Sequence, residues 1–504
     1  MMHQEYFKKF RDNIIGIDQV FETPFGIKKI YYADWTASGR LYGPIEDQIS
    51  NHIGPFVANT HTETNLTGCT MTLAYKRARQ IIKNHVNASS TDILISSNSG
   101  MTGVVNKLQR IIGVKIHEKF QGKFTIPEED RPVVFVTHME HHSNQTSWLE
   151  TVCIVELIQA DENGLVDLKH FISLLEKHKN RKVKIAAITS CSNVTGVFTP
   201  YHQMAKIIHK YGGYCFVDFA CSAPYINIDM HPSDQEAYLD AIYFSPHKFL
   251  GGPASSGIVI FSQKLYNNKI PDNPGGGTVD WTNPWGEHKY LDEIEAREDG
   301  GTPSFLQTIK VAYCIQLKDS MGVDKILERE HYLLKKIFNV LKPLHNVHLL
   351  ADNLTERLGV ISFYIDHLHY NLGVRMLSDR CGIQVRGGCS CAGTYGHYLL
   401  EVSHEKSALL TNEISHGILT NKPGWIRMSI HPTMTDEEMD YILNGILALA
   451  KNHEEWSKDY MYNADSNDFK HMFDTHVEEN LVNSWFDKDV LESKLTAKTQ
   501  TLTI

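Results

Sequence analysis

The sequence predicts an α/β protein whose large domain is built on a mostly parallel sheet of seven strands. From about Thr91 onward, short apolar runs alternate with helical stretches, which is the pattern of repeated βα units. The runs are continuously apolar, as expected of strands that are covered on both faces. In such sheets the ligand binds at the carboxyl ends of the strands. The functional residues are therefore expected just after each run.

Each predicted strand is brief and rich in β-branched residues. In chain order these strands are Asp92–Ser96, Val133–Thr137, Val152–Ile158, Val183–Thr189, Tyr214–Asp218, Ala241–Phe244 and Gly257–Phe261. The segment Asp272–Gly301 is dense in Gly, Pro and Trp and is predicted to be a long functional loop. After it, Ser304–Met321 is predicted to be helical, and Val360–Tyr364 is predicted to begin a second region that contains strands.

The chain is expected to divide into four parts. Residues 1–30 form an N-terminal segment that packs with the small domain, and residues 31–321 form the large cofactor-binding α/β domain. Residues 322–457 form a smaller C-terminal α+β domain. Residues 458–504 form a polar appendage with scattered aromatic residues, and the sequence does not disclose its role.

Composition and charge exclude several classes of protein. With 504 residues, 42% of them hydrophobic and 21% charged, the chain is globular and long enough for more than one domain. The net charge is -10 without a basic block, which argues against a nucleic-acid or membrane partner. No apolar run is long enough to span a bilayer, and the N-terminus lacks the features of a signal peptide. Nine scattered cysteines indicate reduced thiols, so we expect a cytoplasmic protein.

A lysine follows the sixth predicted strand, in the segment LDAIYFSPHKFLGG. Lys248 lies among apolar residues and a glycine pair at the carboxyl end of that strand. Burial lowers the pKa of an amine there, and a neutral amine is a nucleophile suited to a Schiff base. Taken alone, the segment also fits a loop lysine that only reaches out to solvent.

A carboxylate closes the fifth predicted strand, in GYCFVDFACSA. Asp218 would be costly to bury there unless it met a cation. A protonated pyridine nitrogen is one such cation, and the pairing keeps the ring an electron sink. An aspartate that caps the next helix is the alternative.

Three further strand ends offer groups for a flat, phosphorylated ring. His141 in THMEHHSNQTSW could stack on the ring, and Asn193 in TSCSNVTG could hydrogen-bond a ring hydroxyl. Gly100 and Thr102 in SSNSGMTGVVN lie at a predicted strand-to-helix turn, where backbone donors hold phosphate. That segment also fits an ordinary βα turn.

A zinc site is the alternative interpretation of the histidine cluster His138, His141 and His142, whose HxxHH spacing has ligand-like chemistry. The chain contains 27 histidines, so chance clustering weakens that interpretation. The nucleotide-binding patterns GxxxxGK and GxGxxG and the zinc-protease pattern HExxH are absent.

Taken in order, these segments resemble the pyridoxal-phosphate enzymes of the class V aminotransferase family, and more narrowly Suf-type cysteine desulfurases and selenocysteine lyases. The resemblance runs from about Tyr32 to about Asp440 and rests on HMEHHSN, SNVTG, VDFACSA, SPHK, RGGCSCAG and the tripeptide Gly301–Pro303. It implies the fold type I of pyridoxal-phosphate-dependent transferases, pyridoxal 5'-phosphate as cofactor, a small amino acid as substrate, and a homodimer with composite active sites.

The resemblance also implies a role for each matching residue. Lys248 would bind the cofactor as a Schiff base, Asp218 would pair with the pyridine nitrogen, and His141 would stack on the ring. The ring oxygen and the phosphate would be held by Asn193, Gly100, Met101, Thr102, Ser245, His247 and, from a second subunit, Thr302.

Two arginines and a cysteine of the small domain bear on the reaction. In QVRGGCSCAGTYG, Arg386 and Cys391 keep the spacing between an arginine and the nucleophilic cysteine of desulfurases, and Arg427 matches the arginine that grips the substrate carboxylate. The implied reaction converts L-cysteine to L-alanine and leaves a persulfide on the cysteine for a protein acceptor. Lys248 would remove the α-proton and His141 would take the thiol proton. Two alternatives stay open for Cys389 and Cys391: they are small apolar residues that only fill space in the core, or they are a pair of metal ligands.

The chain departs from the family pattern at several positions around the site. This chain has Cys389-Ser390 where the family usually has His-His, and Cys221 where the family has a glutamine. It has Met101 in place of a threonine, Thr62 in place of an arginine, and Pro246 in place of a small residue. Two alternatives to the desulfurase therefore stay open. One is another class V enzyme, such as an aminotransferase, an epimerase or an amino-acid lyase, and the other is a metal-binding or regulatory protein on the same scaffold.

Overall fold

Short elements precede the large sheet in the computed structural model, which describes residues 2–97, 100–120, 122–123, 126–473 and 476–487. In chain order they are α1 (Gln4–Arg11), β1 (Val20–Thr23), β2 (Gly26–Lys29), β3 (Tyr31–Tyr32), α2 (Gly43–Asp47), a π-helical turn (Gln48–Ile53) and α3 (Leu66–His85). Strands β1 and β2 form an antiparallel hairpin. Helix α1 buries Phe7 and Phe10, and its Arg11 forms an ion pair with Glu438 at 2.5 Å.

A sheet of seven strands forms the centre of the large region, as predicted. Its strands and the helices between them are β4 (Asp92–Ser97), α4 (Gly100–Ile111), β5 (Val133–Thr137), α5 (His142–Leu149), β6 (Ile154–Ile158), α6 (Leu168–Lys177), β7 (Lys184–Thr189), α7 (Tyr201–Lys210), β8 (Tyr214–Asp218), β9 (Ala241–Phe244) and β10 (Gly257–Ser262). Their order is β4-β10-β9-β8-β7-β5-β6. Strands β5 to β9 pair in parallel, and β10 runs antiparallel to both of its neighbours. The predicted α/β class is confirmed.

Burial on both faces explains why these strands are continuously apolar. In β5, Val133 and Phe135 belong to one buried cluster, whereas Val134 and Val136 belong to another. Because successive side chains of a strand point to opposite faces, the two clusters lie on opposite sides of the sheet. The polar residues that serve a ligand are thereby confined to the strand ends.

The segment predicted as the loop Asp272–Gly301 contains regular structure, so that prediction was wrong in part. It holds an antiparallel hairpin and a short helix, namely β11 (Val279–Thr282), β12 (His288–Tyr290) and α8 (Ile294–Glu298). Most residues of the two strands are exposed, so no apolar pattern marks them in the sequence. The predicted helix that follows is present as α9 (Phe305–Met321), which packs on α3.

The C-terminal region has a second, smaller sheet covered by helices. Its elements are α10 (Val323–Leu341), β13 (Val347–Leu349), β14 (Val360–Ile365), α11 (Tyr370–Cys381), β15 (Ile383–Gln384), β16 (Arg386–Gly388), α12 (Gly393–Leu399), α13 (His404–Ser415), β17 (Trp425–Ser429) and α14 (Asp436–Trp456). The antiparallel order is β13-β14-β17-β16. Strand β15 pairs in parallel with β3, which ties the start of the chain to this region.

The appendage adds an antiparallel hairpin and one helix, β18 (Tyr460–Asn463), β19 (Asp468–His471) and α15 (Val477–Trp485). Strand β19 packs against α11. The predicted appendage continues to residue 504, and its last part lies outside the described residues. The predicted domain boundaries stay predictions. Across the ranges that the structure describes, no helix is both long and apolar enough to cross a membrane.

Candidate active site

A cavity of about 200 Å³ opens where the carboxyl ends of β5, β7, β8 and β9 meet the strands β16 and β17 of the small sheet. Most of the predicted site residues line it. They are Met101, Thr102, His141, Asn193, Asp218, Ser245, His247, Lys248, Arg386, Cys391 and Arg427. The strand ends of the large sheet and two strands of the small one therefore bring the predicted residues to one place.

Gly100 and Thr302 do not line this cavity. Gly100 lies beside it at the start of α4, with φ at +61°, and a methyl group placed there would be 3.4 Å from the Ser245 hydroxyl. Thr302 is exposed to solvent. Its predicted contribution from a second subunit stays a prediction.

Lys248 ends a short 3-10 turn, Pro246–Lys248, that follows strand β9. The turn is tight because glycine allows another backbone segment to approach: a methyl group on Gly252 would lie 1.9 Å from the Pro246 carbonyl oxygen. Burial lowers the pKa of Lys248, and nearby Cys221 and Asp218 oppose that shift. The residue is therefore a partly buried amine that faces the cavity.

Asp218 is the last residue of β8 and is 3% exposed. Its carboxylate accepts a hydrogen bond of 2.8 Å from the N–H of Ala220. Burial raises the pKa of this carboxyl to about 6, although the Ala220 N–H and Lys248 lower it. A cation in the cavity would stabilise the charged form.

His141 caps the start of α5, and its Nδ1 accepts the N–H of Ser143 at 3.1 Å. Burial, and after it the charge of Lys248, lower the pKa of the ring to about 3. The imidazole is therefore neutral at pH 7. Because its Nδ1 lone pair is engaged, the ring proton lies on Nε2.

Asn193 carries an acceptor without a partner. Its Nδ2 donates to the Ser390 carbonyl at 2.7 Å, while its buried Oδ1 makes no hydrogen bond within the described structure. An unpaired buried acceptor is costly unless a ligand supplies a donor.

The cavity thus offers four groups that fit pyridoxal 5'-phosphate. The amine of Lys248, which can lose its proton, suits the aldehyde, and the buried carboxylate of Asp218 suits the ring cation. The neutral flat ring of His141 suits the π-face, and the free acceptor of Asn193 suits the ring hydroxyl.

Hydroxyl groups gather at the start of α4. The Ser245 hydroxyl accepts the N–H of Met101 at 2.9 Å, and Thr102 Oγ1 lies 2.7 Å from Ser143 Oγ. Burial lowers the pKa of His247 beside them to about 4. Ser143 was not predicted, although its place two residues after His141 is a signal that could have identified it.

Asp34 is a second residue that sequence reasoning missed. Arg386 and Arg427 are paired across β16 and β17, and Asp34 accepts from Arg427 Nη2 at 2.8 Å and from Arg386 Nε at 3.2 Å. Arg427 also donates from Nη1 to the Asn193 carbonyl at 3.1 Å. One carboxylate between two guanidinium groups leaves this wall positively charged, which suits an anionic ligand.

The cysteine loop has an unusual backbone. Ser390 and Cys391 adopt positive φ angles of 51° and 57°, after Gly388 at 106°. The Cys391 carbonyl accepts the N–H of His142 at 2.7 Å. Cys391 is exposed and lines the cavity, whereas Cys389 is partly buried against the core. The cavity thiol of this loop is therefore that of Cys391.

Two further thiols lie under the cavity. Cys191 and Cys221 both line it, and each Sγ lies 3.6 Å from the Ser192 carbonyl oxygen. Cys221 occupies the position at which the family pattern has a glutamine. Both thiols are buried among cavity residues and are not part of the loop that carries Cys391.

The three histidines of the HxxHH segment have separate surroundings. His138 Nε2 lies 3.3 Å from the Gly164 carbonyl, and His142 Nε2 accepts the N–H of Gly393 at 2.9 Å, while His141 faces the cavity. Among the residues that the structure describes, no group of three or more His, Cys, Asp and Glu side chains could hold a metal ion.

Comparisons with known proteins identify the family. The family profile of class-V aminotransferases matches residues 31–442. A probable cysteine desulfurase of Halalkalibacterium halodurans is 28% identical over 368 residues, which is 72% of this chain and 84% of that protein. One of Staphylococcus epidermidis is 27% identical over 380 residues, covering 74% and 86% of the two chains.

Solved structures show the same fold. A cysteine desulfurase from Thermococcus onnurineus superposes with a TM-score of 0.70 at 23% identity, over 88% of this chain and 98% of that one. One from Escherichia coli gives 0.66 at 18% identity, over 88% and 98%. The predicted fold type I is confirmed. Since the family profile covers most of the chain, this protein belongs to the class-V aminotransferase family of pyridoxal-phosphate-dependent enzymes.

Proposed function

We propose that this enzyme is a cysteine desulfurase that converts L-cysteine to L-alanine and leaves the sulfur as a persulfide on Cys391. The observation that carries the proposal is that the exposed thiol of Cys391 lines the same cavity as Lys248 and Arg427. A nucleophile, an amine base and a carboxylate-binding group thus surround one small space. The names of the relatives support the same reaction.

The residues of the cavity form two groups, one that would hold the ring of the cofactor and one that would hold its phosphate. Lys248 would bind the cofactor covalently, Asp218 would face the ring nitrogen, and Asn193 Oδ1 would accept from the ring hydroxyl. Ser245 and Thr102 would surround the phosphate. The bound cofactor supplies an electron sink for the charge that develops at the α-carbon of the substrate.

Arg427 binds the substrate carboxylate in this proposal. Its guanidinium is buried, its Nε has no partner within the described structure, and Asp34 and the Asn193 carbonyl fix its plane. A planar guanidinium can hold a carboxylate through two parallel hydrogen bonds. Arg386 is half exposed and adds a second positive charge at the cavity mouth.

The α-proton is removed by Lys248, because burial lowers the pKa of its amine and so increases the neutral fraction that can accept a proton at Nζ. His141 is suited to stacking rather than to proton transfer. With a pKa of about 3 and its Nδ1 held by the Ser143 N–H, its ring is a weak base. This differs from the sequence-based expectation that His141 takes the thiol proton.

The sulfur transfer balances with the groups present. The Cys391 thiolate attacks the substrate sulfur, so that an S–S bond forms as the C–S bond breaks. The proton of the substrate thiol stays on the outer sulfur of the persulfide. The electron pair of the broken bond stays on the carbon skeleton, which takes up the proton held by Lys248 and one from solvent and leaves as alanine.

The test is an assay of alanine and sulfide with L-cysteine, pyridoxal 5'-phosphate and a thiol reductant. Cys391→Ser should lower alanine formation at least about tenfold and leave the visible absorbance of the cofactor intact. Cys69→Ser is the matched control, because Cys69 is a free, partly exposed cysteine on α3. Equal alanine formation by the wild type and Cys391→Ser would disprove the nucleophile, and a wild type inactive on cysteine would favour another class V reaction.

A further inference from the structure

The hairpin β18–β19 lies beyond the residues that the family profile matches. It nevertheless contacts Tyr370, the residue that packs against the strand leading into the loop of Cys391. We propose that Asn467 of this hairpin is a positioning residue, which holds Tyr370 under the strands that carry Arg386, Arg427 and the Cys391 loop. The proposal gives the appendage a role, and it rests on the proposed function only in taking Cys391 as the reacting thiol.

Asn467 is built into the contact rather than exposed at a turn. It is 8% exposed and has a positive φ of 51°, a conformation that asparagine tolerates better than most residues. Its Nδ2 donates to the Tyr370 hydroxyl at 3.2 Å, and its Oδ1 accepts from the Tyr462 hydroxyl at 3.1 Å. Its carbonyl accepts from Asn371 Nδ2 at 2.5 Å. The side chain and the backbone of one residue thus bind two consecutive residues of α11.

Tyr370 packs directly against the backbone of both site strands. A methyl group on Gly387 of β16 would lie 3.1 Å from Tyr370 Cδ2, and one on Gly388 would lie 3.9 Å from Cε2. One on Gly424, just before β17, would lie 2.5 Å from Cε1. The glycines allow the ring to touch the main chain, so a shift of the ring would move the two strands.

The strand residues in this contact lead straight to the chemistry. Gly388 is followed by Cys389, Ser390 and Cys391, and β17 carries Arg427 three residues after Gly424. Tyr370 is 7% exposed, and His369 stacks on it with ring centroids 4.3 Å apart. From the hairpin, Phe469 adds a third ring, whose centroid lies 5.2 Å from that of His369.

The cysteine loop needs such support because its backbone is strained. Two consecutive non-glycine residues, Ser390 and Cys391, have positive φ angles, and such conformations persist only where the surroundings fix them. Asn193 donates to the Ser390 carbonyl, and the His142 N–H donates to the Cys391 carbonyl, each at 2.7 Å. The Tyr370 ring contacts the strand that leads into the loop, at Gly387 and Gly388.

Other contacts keep the hairpin attached when Asn467 is altered. Arg375 Nε donates to the Phe469 carbonyl at 3.1 Å, and Arg380 forms an ion pair with Asp459. A change at Asn467 therefore tests the support of Tyr370 and not the presence of the hairpin.

The experiment measures how fast iodoacetamide alkylates Cys391 in the full-length, cofactor-loaded protein, by peptide mass spectrometry. Tyr370→Phe removes only the hydroxyl, and Asn467→Gly removes the side chain and accepts the positive φ. Both should change the rate at Cys391 by at least about threefold and leave the rate at Cys69 unchanged. Asn463→Asp is the matched control, since Asn463 is an exposed asparagine of the same hairpin and aspartate keeps the oxygen that accepts the Asp465 N–H. It should match the wild type.

Two results would overturn the proposal. One is an unchanged Cys391 rate in both folded variants, and the other is an equal change at Cys69 and Cys391, which would indicate general loosening. The labelling requires no turnover of cysteine. If the wild type fails to form alanine but Tyr370→Phe still changes the alkylation rate of Cys391, the desulfurase is rejected and the positioning role is kept.

Discussion

The carboxylate of Asp34 lies 2.8 Å from Nη2 of Arg427, an ion pair that joins the segment after β3 to strand β17 across 393 positions of the chain. Arg427 is 3% exposed, so Asp34 is its main counter-charge when the cavity holds no anion. The same carboxylate accepts from Arg386. In the proposed reaction, a substrate carboxylate would thus meet a guanidinium that is already oriented.

Asp34→Asn keeps the shape of this side chain and removes its charge. Because a buried guanidinium loses its counter-ion, we expect a loss of about 3 kcal/mol of stability. L-Alanine should then raise the melting temperature of the variant more than that of the wild type, since its carboxylate replaces the lost charge. Thermal denaturation with and without L-alanine measures both effects. Asp18→Asn, whose carboxylate is 80% exposed beside Lys29, is the control and should match the wild type.

Lys248→Ala tests the covalent attachment of the cofactor. The purified wild type should be yellow, and the variant should show no visible band after incubation with pyridoxal 5'-phosphate and dialysis. The reason is that, among the described residues that line the cavity, Lys248 is the only lysine. Absorption spectroscopy of the dialysed proteins measures this. Lys264→Ala is the control because Lys264 is exposed, and it should keep the band. A visible band in Lys248→Ala equal to that of the wild type would disprove the assignment.

Gly252→Ala tests the tight turn around Lys248. The added methyl group would lie 1.9 Å from the Pro246 carbonyl and 2.9 Å from that of Phe249, so the backbone must shift. We expect a loss of about 2 kcal/mol or more and weakened retention of the cofactor. Gly276→Ala is the matched control, since a methyl group there meets nothing within 4 Å. Wild-type melting temperature and spectrum in Gly252→Ala would contradict the packing seen here.

The sheet could be predicted because its strands are buried on both faces. Burial makes β5 and β7 to β9 continuously apolar, and the fold places polar residues at their ends, so position in the sequence singled out Lys248 and Asp218 as candidates. Their roles follow only from the family resemblance and stay predictions. The exposed hairpin β11–β12 has no such signal and was missed.

Long-range contacts could not be predicted from the sequence. Asp34 meets Arg386 across 352 positions, and Asn467 meets Tyr370 across 97. Neither local periodicity nor spacing carries information about such pairs, because they depend on how the two regions pack. The family resemblance begins near Tyr32, but nothing in the sequence assigns a role to the carboxylate of Asp34, which required the structure.

Glu330, a buried residue of α10, should make the stability of this protein depend on pH. Its Oε2 accepts the N–H of Gly359 at 3.2 Å, while its Oε1 has no partner within the described structure. Burial raises the pKa of this carboxyl from its ordinary 4.5 to about 8, with Cys221 adding to the shift and the Gly359 N–H opposing it. The folded protein therefore keeps a proton that the unfolded chain releases. The stabilisation is complete below about pH 4.5 and is lost as the pH rises through about 8.

Glu330→Gln removes this titration and keeps the shape of the side chain. Between pH 5 and pH 9 the melting temperature of the wild type should fall by an amount that corresponds to a few kcal/mol, and that of the variant should fall less steeply. Thermal denaturation at four pH values in one buffer series gives both slopes. Glu356→Gln is the control, since its side chain is 86% exposed, and it should keep the wild-type slope. If Glu330→Gln and the wild type showed the same slope, Glu330 would be ionised in the folded protein, and an unseen donor would have to satisfy its Oε1.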